Sequence, residues 1–199
     1  MTSKEMLRRH FAEASATQAA FADDPTNLEA VERFIDLAAR TLEAGGRLLV
    51  CGNGGSMADA MHFAAEWTGR FRRDRRALPA LALSDPVEIT AIANDLGFEH
   101  VFSRQVEAHA QAGDLLVLLS TSGDSANLAR AAEQAKAMNV LTVALLGRGG
   151  GKLLPLVDVP IVVPRAPNAD GVQEVHIQVL HACIEALEHE LGLESTSES

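Results

Sequence analysis

Residues 47–70 read Arg47-Leu-Leu-Val-Cys-Gly-Asn-Gly-Gly-Ser-Met-Ala-Asp-Ala-Met-His-Phe-Ala-Ala-Glu-Trp-Thr-Gly-Arg70, and this stretch decides the fold. A short apolar run of the buried-strand type leads into a glycine-rich turn and then into a helical pattern. The glycines tolerate positive φ, and Ser56 is the expected N-cap of the helix. Backbone N–H groups beside a helix N-terminus suit a phosphate. The same turn is also an ordinary connector, so spacing alone leaves both interpretations open.

Single residues exclude two familiar nucleotide-binding motifs. A dinucleotide-binding turn would need glycine at position 57, after Gly52 and Gly54, and the chain has Met57 there. A P-loop around Gly151 would need glycine at 146 and a hydroxyl residue at 153, and both positions hold leucine. We therefore expect no nucleotide cofactor.

The apolar pattern of the whole chain predicts an α/β fold. Two N-terminal helices are followed by alternating strands and helices, which is typical of a parallel sheet covered on both faces. The expectation is one domain over residues 1–199, a three-layer sandwich with a five-stranded parallel sheet, N-terminal helices within 1–44 and a frayed tail at 194–199. The predicted helices span 3–22, 26–44, 56–70, 87–94, 98–112, 125–138 and 170–191, and the predicted strands span 47–51, 79–83, 114–119, 140–146 and 159–163.

Composition excludes several classes of protein. The net charge of −10 supplies little basic surface for nucleic acid, and we interpret the basic cluster Arg70–Arg76 as a solvated helix end or loop. No apolar stretch resembles a signal peptide or a membrane span. Cys51 and Cys183 show no pairing pattern and are expected to be reduced core residues. We predict a cytoplasmic protein without nucleic-acid or membrane partners.

A second polar loop follows the third predicted strand. It reads Ser120-Thr-Ser-Gly-Asp-Ser125 and leads into a helix, so hydroxyl groups and a helix N-terminus meet there. A simple capping loop gives the same pattern. Because the carboxyl ends of parallel strands share one edge of the sheet, two such loops together favour a phosphorylated small molecule. Asp124 counts against this unless its carboxylate points away from the phosphate.

Histidines and carboxylates recur at helical spacing in two of the predicted helices. His62 and Glu66 are four residues apart, which suits a metal, a proton-transfer pair or a surface ion pair. The apolar neighbours of Glu66 favour a functional role, since an unpaired buried carboxylate is costly. In the last helix, a rotation of about 100° per residue puts Glu174 about 20° from His181 and Gln173 about 80° away. Spacing alone therefore selects Glu174 as the companion of His181.

Several motifs together carry a resemblance to a known family. They are Cys51-Gly-Asn-Gly-Gly-Ser56, Asp59-Ala-Met-His62-Phe-Ala-Ala-Glu66, Thr68-Gly-Arg70, Leu83-Ser-Asp85, Ala93-Asn-Asp95, Gly97-Phe-Glu-His-Val-Phe-Ser-Arg104, Ser120-Thr-Ser-Gly123 and Gln173-Glu-Val-His176. In these motifs the chain closely resembles the sugar isomerase (SIS) family, from about residue 3 to residue 191. The resemblance implies a flavodoxin-like sandwich and a homotetramer with active sites between subunits. It also implies conversion of sedoheptulose 7-phosphate to D-glycero-D-manno-heptose 7-phosphate through an enediol, the first step towards the heptose of bacterial lipopolysaccharide.

The same resemblance assigns site residues. It makes Glu66 and His181 the catalytic acid/base pair and lets residues 120–125 hold the phosphate. Some family members bind zinc, one ion per subunit, through the positions of His62, Glu66, Gln173 and His181, so the resemblance favours Gln173 over Glu174. The substrate-binding positions that it implies are Asn53, Gly54, Gly55, Ser56, Glu66, Arg70, Asn94, Asp95, Ser120, Thr121, Ser122, Ser125 and Gln173.

Two departures and two rival hypotheses accompany this assignment. Asp124 replaces the asparagine usual in the second loop, and Gly171 stands where the family commonly has arginine. Some SIS relatives are tetrameric scaffolds that engage the bacterial replication initiator and lack the catalytic glutamate and histidine. This chain has both Glu66 and His181, which favours the enzyme. An isomerase for another sugar phosphate stays open, since substrate stereochemistry is not legible in the sequence.

Overall fold

A five-stranded parallel sheet forms the centre of the computed structural model, which describes residues 1–164 and 166–193. The strand order is β2-β1-β3-β4-β5, and every neighbouring pair is parallel. The strands are β1 (Leu48–Gly52), β2 (Ala80–Ala82), β3 (Leu115–Ser120), β4 (Leu141–Leu146) and β5 (Val159–Val162). The sequence prediction of this sheet is confirmed, and the expected frayed tail at 194–199 lies outside the described residues.

Helices cover both faces of the sheet, as predicted. On one face α2 and α7 pack with α3 against the side chains of Leu48 and Val50, and α1 lies outside them against α7. On the other face α5 and α6 pack against Leu49 and Cys51. The helices are α1 (Ser3–Ala22), α2 (Pro25–Glu43), α3 (Gly55–Thr68), α4 (Pro86–Leu96), α5 (Val101–His109), α6 (Ala126–Ala137) and α7 (Ala169–Glu190).

The continuous apolar runs of the inner strands follow from this double covering. Every residue of β1 and β3 is buried, so both faces of these strands need apolar side chains. Cys51 and Cys183 are buried free cysteines within the two cores, as expected. No helix within residues 1–164 and 166–193 is long and apolar enough to cross a membrane.

Two surface elements leave apolar side chains exposed. Leu7 and Phe11 of α1 are 60% and 67% exposed, and α4 has no buried residue at all. Val87 within α4 and Phe98 just after it are exposed. Leu7 and Phe11 are four residues apart and so lie on one face of α1, and exposed apolar patches of sufficient size mark interaction sites.

The strand order places the site. β1 lies between β2 on one side and β3 on the other. The last residue of β1, Gly52, pairs with Leu119 of β3. The carboxyl ends of β1 and β3 therefore lie side by side where the chain reverses its direction across the sheet. Open α/β sheets bind ligands at this switch point.

Candidate active site

The turn after β1 is built around Gly54. This residue is the N-cap of α3 with φ of 56° and ψ of −119°, a conformation that favours glycine. Ser56 lies inside the first turn, where its N–H donates to the Asn53 carbonyl at 3.1 Å. The prediction of Ser56 as N-cap is wrong, because the permissive backbone of Gly54 lets the helix begin one residue earlier, at Gly55.

A reciprocal amide pair joins this turn to the start of α6. Asn53 Nδ2 donates to Asn127 Oδ1 at 3.0 Å, and Asn127 Nδ2 donates to Asn53 Oδ1 at 2.8 Å. Asn127 is buried and its Oδ1 also accepts from the Leu128 N–H at 2.9 Å. A cleft of about 330 Å³ opens beside the pair, lined by Asn53, Phe98, Glu99, Ser125, Ala126 and Asn127. Sequence reasoning missed Asn127, whose signal was an amide near the start of a helix.

The loop after β3 is ordered from within. Ser120 Oγ accepts from the Gly123 N–H at 3.0 Å, and Ser122 Oγ accepts from the Asp124 N–H at 3.2 Å. Asp124 Oδ1 in turn accepts from the Lys152 N–H at 3.2 Å. The Asp124 carboxylate is therefore held towards the segment after β4.

The end of this loop is closely packed at Gly123 but open to a ligand at Ser125. Gly123, with φ of 71°, packs so closely that a Cβ there would lie 2.1 Å from the Gly150 carbonyl oxygen. Ser125 is the N-cap of α6, yet its side chain makes no capping hydrogen bond with any residue that the structure describes. The Ser125 hydroxyl and the N–H groups of Ala126 and Asn127 thus remain available for an anion, whereas the Leu128 N–H is taken by Asn127 Oδ1.

Two histidines and a carboxylate meet between α3 and α7. His62 Nε2 lies 3.0 Å from His181 Nε2 and 3.7 Å from Glu66 Oε1. The two imidazole rings are nearly perpendicular, at 80° with centroids 5.2 Å apart. Phe71 stacks on the His181 ring at 5.6 Å and 29°. A histidine and a carboxylate of α3 thus meet a histidine of α7 at one point.

Gln173 lies on α7 and, like His181, faces α3. Its Nε2 donates to Asp59 Oδ1 at 3.2 Å, and its side chain occupies the space where a Cβ of Gly55 would lie. Glu174 instead lies near α1, with Oε1 3.8 Å from His10 Nε2. The choice of Glu174 from spacing is wrong, because α3 packs across the face of α7 that carries Gln173 and His181.

Asp59 is a buried carboxylate beside this cluster. Burial raises the pKa of Asp59, while the Gln173 hydrogen bond and the charges of His62 and His181 lower it. Asp59 Oδ2 has no hydrogen-bond partner among the described residues. The unsatisfied oxygen and the adjoining imidazoles form a polar pocket within an otherwise apolar interface of α3 and α7.

The donor set suits zinc in chemical type. Two imidazole nitrogens, a carboxylate oxygen and the Gln173 amide oxygen are all groups that this ion accepts, although an amide ligand is less common than the others. No group of three His, Cys, Asp or Glu side chains in the described ranges is arranged as a metal site. The zinc assignment therefore stays a prediction from the resemblance.

Three predicted substrate residues form no hydrogen bond or ion pair with the cluster in the part of the chain that the structure describes. Asn94 and Asp95 are exposed on α4 and bond each other, with Nδ2 to Oδ1 at 2.7 Å. Arg70 is exposed just after α3. Neither α4 residue forms a hydrogen bond or ion pair with His62, Glu66 or His181 in the part of the chain that is described.

One residue of the basic cluster, Arg75, is not solvated as predicted. The side chain of Arg75 is only 2% exposed, so interpreting the whole of Arg70–Arg76 as a solvated segment is wrong. The physical reason is a set of acceptors on α3 and α7 that replaces its water shell. A charge run does not reveal such partners, because Glu188 lies 113 positions away and the nearby acceptors are backbone carbonyls.

The fold and the two polar loops at the β1/β3 switch point define a domain of the SIS type. The family model described as SIS domain matches residues 9–147. The phosphoheptose isomerase of Enterobacter sp. (strain 638) is 45% identical over 188 residues, covering 94% of this chain and 98% of that protein. The phosphoheptose isomerase of Vibrio cholerae is 45% identical over 189 residues, with coverages of 95% and 99%.

A solved structure agrees with these relatives. Phosphoheptose isomerase from Neisseria gonorrhoeae aligns with a TM-score of 0.88 at 41% identity, covering 94% of this chain and all of that one. The chain therefore belongs to the SIS-domain family and, within it, to the phosphoheptose isomerases. The predicted fold class is confirmed by the same comparison.

Proposed function

We propose that this protein is an aldose–ketose isomerase that converts sedoheptulose 7-phosphate to D-glycero-D-manno-heptose 7-phosphate. The observation that carries the proposal is the convergence of Glu66, His62 and His181 between α3 and α7. Relatives named phosphoheptose isomerase, at 45% identity over nearly the whole chain, support the substrate. Nothing in the comparisons supports the rival hypothesis of a non-catalytic scaffold.

The phosphate end of the substrate is assigned to the loop after β3. Ser120, Thr121, Ser122 and Ser125 supply hydroxyl groups, and the N-terminus of α6 supplies N–H donors and the positive end of its dipole. The engagement of Asp124 by the Lys152 N–H supports this role. The sugar then extends towards Asn53, Gly54 and Gly55 at the turn after β1.

Glu66 and His181 are assigned to the proton transfers. One group takes a proton from C1 of the ketose, the electron pair forms a C1–C2 double bond, and the C2 oxygen gains a proton to give the enediol. Loss of the proton on O1 and delivery of a proton to C2 then yield the aldose, so no proton is gained or lost overall. Such transfers need groups within hydrogen-bond reach of the substrate.

A zinc ion, one per subunit, is part of the proposal. His62, Glu66, Gln173 and His181 would hold it, and the ion would polarise the substrate carbonyl and stabilise negative charge on the enediolate. Asp59 supports the ligand role of Gln173, because its Oδ1 accepts from the amide nitrogen and so turns the amide oxygen away from itself. This is how supporting groups orient metal ligands.

A homotetramer with active sites between subunits is also proposed. The exposed apolar residues Leu7 and Phe11 of α1 support burial against another copy. The exposure of Asn94 and Asp95 on α4, without a bond to the histidine cluster, supports a site that is completed by a neighbouring chain. We place the reaction in the cytoplasm, as the first step in making heptose for bacterial lipopolysaccharide.

The test is turnover of sedoheptulose 7-phosphate by the purified protein, with and without added zinc, followed by NMR detection of the aldose phosphate. A ketohexose phosphate is the control substrate. We expect conversion of the heptose phosphate and at least ten-fold slower conversion of the shorter sugar, since even one missing methylene-sized unit is worth roughly 10- to 200-fold in discrimination. No conversion of either sugar would contradict the proposal and favour the scaffold.

A further inference from the structure

Arg75 is buried where the ends of two helices meet. Its Nε donates to Glu188 Oε1 at 2.6 Å, and the Glu188 side chain is 12% exposed. One terminal nitrogen donates to the Trp67 carbonyl at 3.0 Å and the Arg76 carbonyl at 3.2 Å. The other donates to the Glu66 carbonyl at 2.8 Å. Four of the five guanidinium N–H groups therefore donate to protein acceptors.

These contacts satisfy the C-terminus of α3. The helix ends at Thr68, so the carbonyls of Glu66 and Trp67 belong to its last turn and have no partner within the helix. A cation at this end also interacts favourably with the helix dipole. The guanidinium lies 5.2 Å from the Trp67 ring, which adds a cation–π contact.

The same contacts join the two helices that carry the proposed acid/base pair. Glu66 is on α3 and its own carbonyl binds Arg75, while Glu188 lies two turns beyond His181 on α7. A shift of α3 along α7 would break the Arg75 bonds and change the distance between Glu66 and His181. We infer that Arg75, through Glu188, is a positioning residue that sets the placement of Glu66 relative to His181; this inference rests on the proposed isomerase function.

The side-chain type matters for this role. The planar guanidinium presents several N–H groups in a fixed fork and reaches a carboxylate and backbone carbonyls at once. A lysine ammonium at the same position can keep the ion pair with Glu188 but cannot also cap α3. Arg73, two residues earlier, is exposed and forms no hydrogen bond or ion pair in the described part of the chain, which makes it the matched control.

The experiment compares kcat and KM for sedoheptulose 7-phosphate in the wild type and in Arg75→Met, Arg75→Lys, Glu188→Gln and Arg73→Met. We expect Arg75→Met to lower kcat by about 10- to 100-fold with KM changed by less than about three-fold, since misplacement of reacting groups affects the chemical step while the phosphate loop is untouched. The kcat values of Arg75→Lys and Glu188→Gln should lie between those of Arg75→Met and the wild type. Arg73→Met should equal the wild type.

Two further readouts separate positioning from plain stabilisation. The pH profile of kcat should change shape in Arg75→Met, and circular dichroism should show the same folded fraction as Arg73→Met at the assay temperature. If Arg75→Met fails to fold, Glu188→Gln carries the same test. A folded Arg75→Met or Glu188→Gln with the wild-type kcat and pH profile overturns the inference, whereas an inactive wild type overturns the proposed function itself.

Discussion

The Nε2 atoms of His62 and His181 lie 3.0 Å apart although the residues are 119 positions apart in the chain. A hydrogen bond between two imidazole nitrogens requires that one ring donates and the other accepts. Glu66 Oε1 lies 3.7 Å from the same nitrogen of His62. A proton between the two rings is therefore shared by His62 of α3 and His181 of α7, and the site depends on how these helices pack.

Gly55 provides a test of the Gln173 placement. A Cβ at this position would lie 2.6 Å from Gln173 Oε1, so Gly55→Ala should displace the Gln173 side chain and break its bond to Asp59. We expect lower zinc content per subunit, measured by mass spectrometry of the metal, and a kcat reduced by about 10-fold or more, as for lost metal-supporting contacts.

Gly171→Ala is the matched control for this change. It lies near the start of the same helix as Gln173, and its added Cβ would lie 3.5 Å from the Ala166 Cβ, an ordinary contact. Equal zinc content and activity in the two variants would show that Gln173 does not act as assigned.

Asn127 should affect substrate binding more than the chemical step. Asn127→Asp removes the donor to Asn53 Oδ1 and so loosens the turn that is proposed to contact the sugar. We expect KM to rise about 10-fold, corresponding to roughly 1–2 kcal/mol for a lost buried hydrogen bond, with kcat little changed. Gln178→Ala, an exposed amide on α7, is the control, and an unchanged KM in Asn127→Asp would refute the role.

His176 should make the fold sensitive to acid. It is 1% exposed, and burial lowers its pKa from 6.5 to about 4, with a smaller opposing effect of the Leu146 backbone. Below pH 6.5 the unfolded chain binds a proton at His176 that the folded chain does not bind until the pH nears 4. The contribution of His176 to the free energy of unfolding is therefore complete above pH 6.5 and falls as the pH drops towards 4. At pH 5 the loss should be about 2 kcal/mol.

Urea unfolding of the wild type and His176→Leu at pH 7.5 and pH 5.0 measures this effect. The variant should lose less free energy of unfolding between the two pH values than the wild type does, by about that 2 kcal/mol. If both proteins lose the same amount, His176 is not the group responsible.

A mixing experiment tests whether active sites lie between subunits. Asn94→Ala and His181→Gln should each be nearly inactive alone. If a site combines Asn94 of one chain with His181 of another, random mixed tetramers should recover up to about a quarter of the sites, because a symmetric assembly repeats the same interface. Absence of any recovery in mixed tetramers, confirmed by native mass spectrometry, would place all of these residues in one chain.

Local pattern predicted most of the fold and part of the site. Alternating apolar runs located the strands because β1 and β3 are buried on both faces, and helical spacing brought out His62 and Glu66. Spacing failed where tertiary contacts decide. It chose Glu174 over Gln173 because the face of α7 that meets α3 is set by packing, and it could not reveal the burial of Arg75 or the Asn53–Asn127 pair, whose partners are remote in sequence.

The central claim is that Glu66 and His181 perform the proton transfers. The most direct measurement is kcat for sedoheptulose 7-phosphate in Glu66→Gln and His181→Gln, together with substrate binding by calorimetry. Glu29→Gln, at an exposed position on α2, is the control. We predict that kcat falls by about 10²- to 10⁴-fold in both variants, the usual contribution of general acid–base groups, while the variants still bind the substrate and keep the wild-type oligomeric state. Variants that turn over within a few-fold of the wild type would contradict the account.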